Sequence, residues 1–147
     1  MLEYLLIKSE SDFTEKLSRE EYVDFLFTHL ERFGDPKKDI NACIDYAFSD
    51  SEYAGGFCLA AFYEGKMAGA LIMNDTGMKG YIPENILVYV AVDGSLRGKG
   101  LGRQIVEKAI SMAEGNVKLH VEYDNPAKRL YERIGFKSKY AEMRYDK

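Results

Sequence analysis

The sequence has few cysteines, no long apolar run and no surplus of basic residues. Cys43 and Cys58 are its only cysteines and lack C-x-x-C spacing, so neither a disulfide framework nor a zinc site is indicated. No stretch approaches the roughly 20 apolar residues that span a bilayer. The formal net charge of −4 provides no general attraction to nucleic acid or to an anionic membrane. We therefore expect no metal, no nucleic acid and no membrane among its partners.

Linkers, repeats and low-complexity tracts are also missing, which predicts a single domain over residues 1–147. A hydrophobic fraction of 46% and a charged fraction of 30% are typical of a globular protein rather than a disordered one. The apolar run near the N-terminus is too short for a secretory signal and has no basic segment before it. These features predict a cytoplasmic location.

Hydrophobic periodicity predicts elements in the order β-α-α-β-β-β-α-β-α-β, which indicates a mixed α/β sheet. Ser18 and Glu21 have the spacing of a capping box at the start of the first helix. Asp35 and Pro36 predict the start of the second, with aspartate as N-cap and proline in the first turn. The apolar strand over 86–92 should be covered on both faces. The other predicted strands are 3–8, 56–63, 67–73, 117–123 and a closing strand or pair over 136–145, and the later helices are 101–113 and 126–134.

The segment from Val90 to Arg103 combines a buried strand, a glycine-rich loop and the start of a helix. The first turn of a helix leaves amides without intrahelical partners, and the helix dipole places partial positive charge there. Glycines at 98, 100 and 102 remove the Cβ atoms that would keep an anion from those amides. Arg97, Lys99 and Arg103 add positive charge, unless all three are simply solvated. The pattern predicts a site for a pyrophosphate or a similar anion.

Three other interpretations of this loop are possible. A nucleotide-binding P-loop is rejected, because Gly94 to Gly98 is one residue short and Gly100 replaces the hydroxyl that binds magnesium. A dinucleotide fold has support from the glycines and from Glu122, but the spacing is Gly-x-Gly-x-Gly and too little chain follows for a six-stranded sheet. A plain glycine-rich turn before a helix is the third interpretation.

Two motifs lie in a fixed order in the second half of the chain. Residues 97–102 read R-G-K-G-L-G and fit Arg/Gln-x-x-Gly-x-Gly/Ala, while residues 121–136 read V-E-Y-D-N-P-A-K-R-L-Y-E-R-I-G-F and end in Tyr-x-x-x-Gly-Phe. Together they resemble the GCN5-related N-acetyltransferases, the GNAT superfamily. The resemblance covers essentially the whole chain. It implies an α/β (α+β) fold with a mixed, mostly antiparallel sheet of six to seven strands, about four flanking helices and splayed central strands.

The resemblance also implies acetyl-CoA or another acyl-CoA as donor and a small-molecule or peptide primary amine as acceptor; a homodimer is compatible with it. The backbone of the strand over 86–92 would pair with the pantetheine arm, and the loop amides would hold the pyrophosphate. Asn125 would bind pantetheine or stabilise the turn into the last helix, and Lys128 would reach the ribose phosphate or remain solvated. The implied cofactor-binding set is Val90, Ala91, Val92, Arg97, Gly98, Lys99, Gly100, Leu101, Gly102, Arg103, Asn125 and Lys128.

Acyl transfer to an amine requires an acid and a base. Tyr131 stands where the resemblance places the general acid, and a phenol with a pKa of about 10 is a suitable donor to a thiolate. Glu84 is the predicted base because it shares its strand parity with Ile86, although Ile86 is the closer match to the family's position. Tyr89, Glu122, Tyr123 or a water held by backbone carbonyls are the alternatives.

Three functions follow from these patterns. The first is an N-acetyltransferase that works by direct attack in a ternary complex. The second is a non-catalytic acyl-CoA sensor on the same fold, which the uncertain base keeps open. The third is a nucleotide-dependent oxidoreductase that uses the glycine-rich loop.

Overall fold

The computed structural model describes all 147 residues and contains one five-stranded sheet. The strands lie side by side in chain order: β1 (Leu2–Ile7), β2 (Gly56–Tyr63), β3 (Lys66–Asp75), β4 (Asn85–Val92) and β5 (Val117–Leu119). The first four pair antiparallel, and β4 pairs with β5 in parallel. Glu64 (φ 52°) and Gly65 (φ 80°) form the tight turn between β2 and β3, so the predicted hairpin is confirmed.

Four α-helices cover the sheet: α1 (Arg19–Leu30), α2 (Lys37–Ala47), α3 (Leu101–Met112) and α4 (Ala127–Ile134). The capping box of α1 forms as predicted, with the Glu21 amide 3.1 Å from Ser18 Oγ and the Ser18 amide 3.0 Å from Glu21 Oε1. The predicted N-cap role of Asp35 is wrong. Helix α2 begins at Lys37 after Pro36, and the Asp35 carboxylate accepts a hydrogen bond from the Tyr89 hydroxyl instead.

The core consists of two apolar clusters, one on each face of the sheet. Helices α1 and α2 cover the first cluster, which includes Tyr22, Leu26, Ile40 and Ile44. Helices α3 and α4 cover the second, which includes Leu101, Ile105, Val106 and Tyr131. Strand β4 contributes side chains to both clusters, so its predicted cover on both faces is confirmed.

A β-bulge interrupts β4 at Val88. Ile72 of β3 pairs with Tyr89 and Met73 pairs with Leu87, which leaves Val88 as an extra residue. The bulge reverses the side-chain alternation, so Leu87 lies in the α3–α4 cluster while Tyr89 lies in the α1–α2 cluster. Tyr89 therefore lies on the opposite face of the sheet from Leu87.

The sheet has five strands instead of the six to seven expected, because the predicted closing strand or pair is missing, and β5 is shorter than predicted. Strand β5 ends at Leu119 instead of continuing to Tyr123, and residues 137–147 form no strand. The side chains after Phe136 are exposed, so burial does not favour pairing of that segment. None of the helices has both the length and the apolar character that crossing a membrane requires.

Candidate functional site

The glycine-rich loop connects the end of β4 to the start of α3. Asp93 holds its first turn, since Oδ1 accepts from the Ser95 hydroxyl at 2.7 Å and from the Ser95 amide at 2.8 Å. These bonds lower the pKa of the Asp93 carboxyl. Gly98 (φ 83°) and Gly100 (φ 77°) take the left-handed conformation that other residues rarely adopt. A Cβ at either position would meet no atom within 4 Å, so the backbone conformation is what requires glycine.

The amides of Gly98 to Arg103 donate to no acceptor within the chain. The first hydrogen bond of helix α3 runs from the Gln104 amide to the Gly100 carbonyl, at 3.3 Å. The loop and the first helical turn therefore present a run of free N–H groups at the positive end of the helix dipole. This geometry fits a pyrophosphate.

The three basic side chains around this loop differ in their contacts. Arg97 donates to the His29 carbonyl at 3.0 Å, and its guanidinium lies 3.6 Å from the Glu31 carboxylate. Arg103 pairs with Glu107 one turn further along α3. Lys99 makes no ion pair or side-chain hydrogen bond within the chain. Lys99 is therefore the cation most available to an anion on the loop.

Strand β4 separates from β5 halfway along its length. The parallel pairing is limited to three positions and ends at Leu87, whereas β4 continues to Val92. The second half of β4 consequently has an edge without a partner strand. This separation is the splay that the family resemblance implied.

The amides of Val90 and Val92 point toward this open edge. The Asp93 amide donates to the carbonyl of Ala68 in β3, at 2.8 Å. Because N–H groups alternate in direction along a strand, Ala91 also directs its amide toward β3, and the two valines direct theirs away from it. The open edge thus offers alternate backbone donors to an extended ligand, and Ala91 stands between them.

The loop, the open edge and α4 come together at Gly102. A Cβ on Gly102 would lie 3.3 Å from Leu130 Cδ2 on α4 and 3.6 Å from Val92 Cγ2 on β4. Leu101, the first residue of α3, is buried in the α3–α4 cluster. The glycine-rich loop therefore packs against both β4 and α4 at Gly102.

Asn125 and Lys128 border a groove formed by α4 and the segment before it, together with Tyr123, Asp124 and Arg129. The Asn125 carboxamide oxygen accepts from the Ala127 amide at 2.9 Å, which stabilises the turn into α4. Lys128 forms an i,i+4 ion pair with Glu132 at 3.3 Å. Both side chains therefore have partners within the chain. A surface ion pair along α4 is consistent with a Lys128 that remains solvated.

Tyr131 lies in the α3–α4 cluster with 8% of its surface exposed. Its ring packs edge-to-face against Phe136, with centroids 5.9 Å apart. Its hydroxyl makes no hydrogen bond within the chain. Burial raises the pKa of Tyr131 to about 12, so the phenol keeps its proton throughout the neutral range. A protonated hydroxyl without an internal partner is free to donate to a ligand.

Glu84 lies at the opposite end of β4 from the glycine-rich loop. Its carboxylate accepts from the Asn116 amide at 2.7 Å and from the Gly80 amide at 3.2 Å. The Asn116 bond is the largest cause of the lowered pKa of this carboxyl. Six residues of strand separate Glu84 from Val90, a distance of about 20 Å. Glu84 thus joins two turns of the chain and lies far from the open edge.

Asp35 is the acidic residue that the sequence patterns did not single out for this site. It lies in the α1–α2 connection, is exposed, and binds through Oδ2 the hydroxyl of the 8% exposed Tyr89. Burial is the largest cause of a raised pKa at Tyr89, followed by this hydrogen bond. The Asp-Pro pattern predicted only a helix cap, since no local signal records a contact with a strand 54 residues away.

Helix α1 also fixes the position of the glycine-rich loop. His29 Nδ1 accepts from the Gly94 amide at 3.1 Å, and its Nε2 lies 4.0 Å from Asp93 Oδ2. On the other side, Arg32 pairs with Asp124 at 2.9 Å, which connects the α1–α2 segment to the groove at α4. No cluster of three or more His, Cys, Asp or Glu side chains is arranged to hold a metal ion.

Comparison with known proteins agrees with this geometry. The sequence model described as "Acetyltransferase (GNAT) family" matches residues 12–136. No curated protein matches the sequence at a significant level.

Among solved structures, a ribosomal-protein-alanine N-acetyltransferase from Brucella melitensis biovar Abortus 2308 is 17% identical, with 99% of each chain covered and a TM-score of 0.65. The aminoglycoside N-acetyltransferase AAC(6')-Iy, solved with CoA, is 12% identical, with 100% of this chain and 95% of that one covered and a TM-score of 0.70. A Bacillus subtilis acetyltransferase, also with CoA, is 21% identical, with 95% and 79% covered and a TM-score of 0.66. At these identities, the structures show a shared fold.

Proposed function

Since the chain belongs to the acetyltransferase (GNAT) family, we propose that it transfers an acetyl group from acetyl-CoA to a primary amine. The amine attacks the thioester directly, while donor and acceptor are bound together. The observation that carries this proposal is the run of free amides from Gly98 to Arg103 beside the open edge of β4. A pyrophosphate on the loop and a pantetheine arm along the edge would occupy both sets of donors.

The roles of the individual groups follow from their positions. The loop amides and Lys99 bind the pyrophosphate, and backbone groups of Val90 and Val92 pair with the pantetheine arm. When bound, acetyl-CoA supplies the activated acyl group and a thiolate leaving group. The Val90 amide also stabilises the oxyanion that develops during attack. Tyr131 donates its proton to the departing sulfur, since its hydroxyl has no partner within the chain.

The proton of the acceptor amine needs a separate route. A primary ammonium has a pKa of about 10.4, and only its neutral form can attack. Glu84 remains the base that the sequence predicts, but its two amide partners and its distance from Val90 favour a structural role. A water held by backbone carbonyls at the open edge, one of the four alternatives to Glu84, fits the geometry better. Asp35 is a further acidic group, on the face of the sheet that α1 and α2 cover.

The acceptor class is an expectation from the named neighbours. One is called an aminoglycoside acetyltransferase and another a ribosomal-protein-alanine acetyltransferase, so both small-molecule and peptide amines belong in a substrate panel.

An acyl-CoA sensor is the second candidate. The observation in its favour is that Glu84 is bound by amides of Gly80 and Asn116. A chain that lacks a base would bind acyl-CoA without transferring the acyl group.

One assay separates these functions. Protein, acetyl-CoA and an amine panel are mixed with a thiol reagent, and CoA release is followed; the buried Cys43 and Cys58, whose pKa burial raises to about 12, contribute little background. Amine-dependent release supports the transferase. Calorimetric binding of acetyl-CoA without release supports the sensor, and neither binding nor release contradicts both. Greater thermal stabilisation by NAD than by CoA would favour the oxidoreductase.

A further inference from the structure

The α1–α2 connection places one carboxylate beside the central strand. Tyr89 follows the bulge residue Val88 and precedes Val90, whose amide faces the open edge. Its ring passes through the α1–α2 cluster, and its hydroxyl ends on Asp35 Oδ2. The Asp35 carboxylate is therefore held one tyrosine side chain away from the strand that the proposed function assigns to the thioester.

Part of this carboxylate is free to bind a ligand. Asp35 is exposed, and its second oxygen, Oδ1, makes no hydrogen bond within the chain. The nearest lysine along the chain, Lys37, is bound to Asp24 at 2.7 Å. Arg144 interacts with Asp35 only through its charge and donates its hydrogen bond to Glu142. Asp35 thus has a fixed position and no bonded cation.

The other carboxylates around β4 are not available in this way. Glu84 accepts from two backbone amides, and Asp93 accepts from Ser95. Asp124 pairs with Arg32. Asp35 differs from these three residues because a buried side chain of β4, Tyr89, holds its carboxylate in place.

Such a carboxylate suits a cation that does not react. An opposite charge within about 4–6 Å raises the pKa of an ammonium by one to three units, which lowers the neutral fraction about 10- to 1,000-fold. A carboxylate against the reacting nitrogen would therefore oppose the attack. Held one tyrosine length from the strand, Asp35 can instead bind a second positive charge while the reacting amine lies at the open edge.

We propose that Asp35, positioned by Tyr89, binds a second ammonium group of the acceptor, so that the preferred acceptor is a diamine or another amine with an additional positive charge. This inference rests on the proposed acetyl transfer for the position of the reacting end. Asp35 is a specificity residue in this scheme, and Tyr89 is a positioning residue.

The test compares 1,5-diaminopentane with 1-aminopentane, which has the same chain length and one charge fewer. Calorimetric titrations, with and without CoA, should show the diamine binding at least about tenfold more tightly to the wild-type protein. Asp35→Asn should reduce this preference to about twofold or less. Asp39→Asn is the matched control, since it removes the same charge from an exposed residue of α2 that acts on the Tyr89 hydroxyl through its charge but makes no hydrogen bond with it. It should retain the preference.

Tyr89→Phe tests the positioning role through the ratio of the two affinities, which a general loss of stability would not change. The ratio should fall, because the carboxylate loses its fixed position. Equal binding of the two amines by the wild-type protein, or a preference that survives Asp35→Asn, overturns the proposal. So does an equal loss in Asp39→Asn, which would indicate general charge attraction.

The outcomes also separate this inference from the proposed function. Failure of every amine to release CoA, together with a diamine preference that depends on Asp35, contradicts acetyl transfer and leaves the cation site standing. Acetylation of both amines with the same kcat/KM, and no difference in binding, contradicts the cation site and leaves acetyl transfer standing.

Discussion

Replacement of Tyr131 by phenylalanine isolates one hydroxyl group. The ring stays in the α3–α4 cluster and keeps its edge-to-face contact with Phe136, 5.9 Å between centroids. The hydroxyl makes no hydrogen bond within the chain, so its removal leaves no buried partner unsatisfied. We therefore expect the free energy of unfolding to change by about 0.5 kcal/mol or less. A hydroxyl with an internal partner would cost about 1 kcal/mol.

The effect on turnover should be much larger. Loss of a general acid lowers the rate by about 10²- to 10⁴-fold, which corresponds to about 2.7–5.4 kcal/mol in the activation free energy. The affinity for acetyl-CoA should stay within about twofold, since the hydroxyl is assigned to the departing sulfur only. The expected signature of Tyr131→Phe is a fall in kcat without a matching fall in binding or stability.

Three measurements on one preparation test this. Steady-state CoA release gives kcat, calorimetry gives the affinity for acetyl-CoA, and urea denaturation gives the free energy of unfolding. Tyr140→Phe is the control, because Tyr140 is 84% exposed and has no role in the proposed reaction. An unchanged kcat, or an acetyl-CoA affinity that falls by about tenfold, would show that Tyr131 packs against the ligand or the core and does not act as the acid.

The remaining predictions concern the loop, the core and alkaline pH. Gly100→Ala should lower the free energy of unfolding by about 1–2 kcal/mol and should weaken acetyl-CoA binding in calorimetry. Gly65→Ala is the control, because its φ of 80° is close to the 77° of Gly100 and a Cβ meets no atom at either position. It should lower stability by the same amount and leave binding unchanged. Tyr22→Phe should lower the free energy of unfolding by about 1–3 kcal/mol in urea titrations, because the buried hydroxyl bonds to the Leu71 carbonyl at 2.8 Å. Burial raises the pKa of Tyr131 to about 12, so between about pH 10 and pH 12 the folded chain keeps a proton on this phenol that the unfolded chain has lost. Tyr131 should therefore lower the free energy of unfolding by about 2.7 kcal/mol as the pH rises through this range. Tyr131→Phe should show a correspondingly smaller decrease in urea titrations.

Local features of the fold could be predicted because neighbouring residues encode them. The capping box of α1 forms between Ser18 and Glu21, three residues apart. The turn at Glu64 and Gly65 uses the positive φ that glycine permits. The glycine-rich loop and the start of α3 also lie where the pattern places them. Each of these depends on backbone conformations within one or two turns of chain.

The less successful predictions involve choices between partners. Asp35 satisfied the rule for an N-cap, but its carboxylate bonds to Tyr89 on another element. The alternation of β4 placed Glu84 on a face with Val88 and Val90, and the bulge at Val88 breaks that parity. Strand β5 is shorter than the predicted 117–123, because its pairing with β4 ends at Leu87. A strand's length depends on its neighbour as much as on its own residues.

The sequence by itself determined that residues 97–103 form a glycine-rich helix start, since the glycines and the helix period are local, and it predicted an anion site there. It also placed Tyr131 on the following helix and Asn125 in the turn that leads into it. Only the tertiary structure decided that β4 has an open edge beside this loop, that Glu84 is bound by distant amides, and that Asp35 is held at the strand by Tyr89. The physical reason is that pairing between distant segments follows from how the whole sheet and its helices pack, which no short window of residues contains.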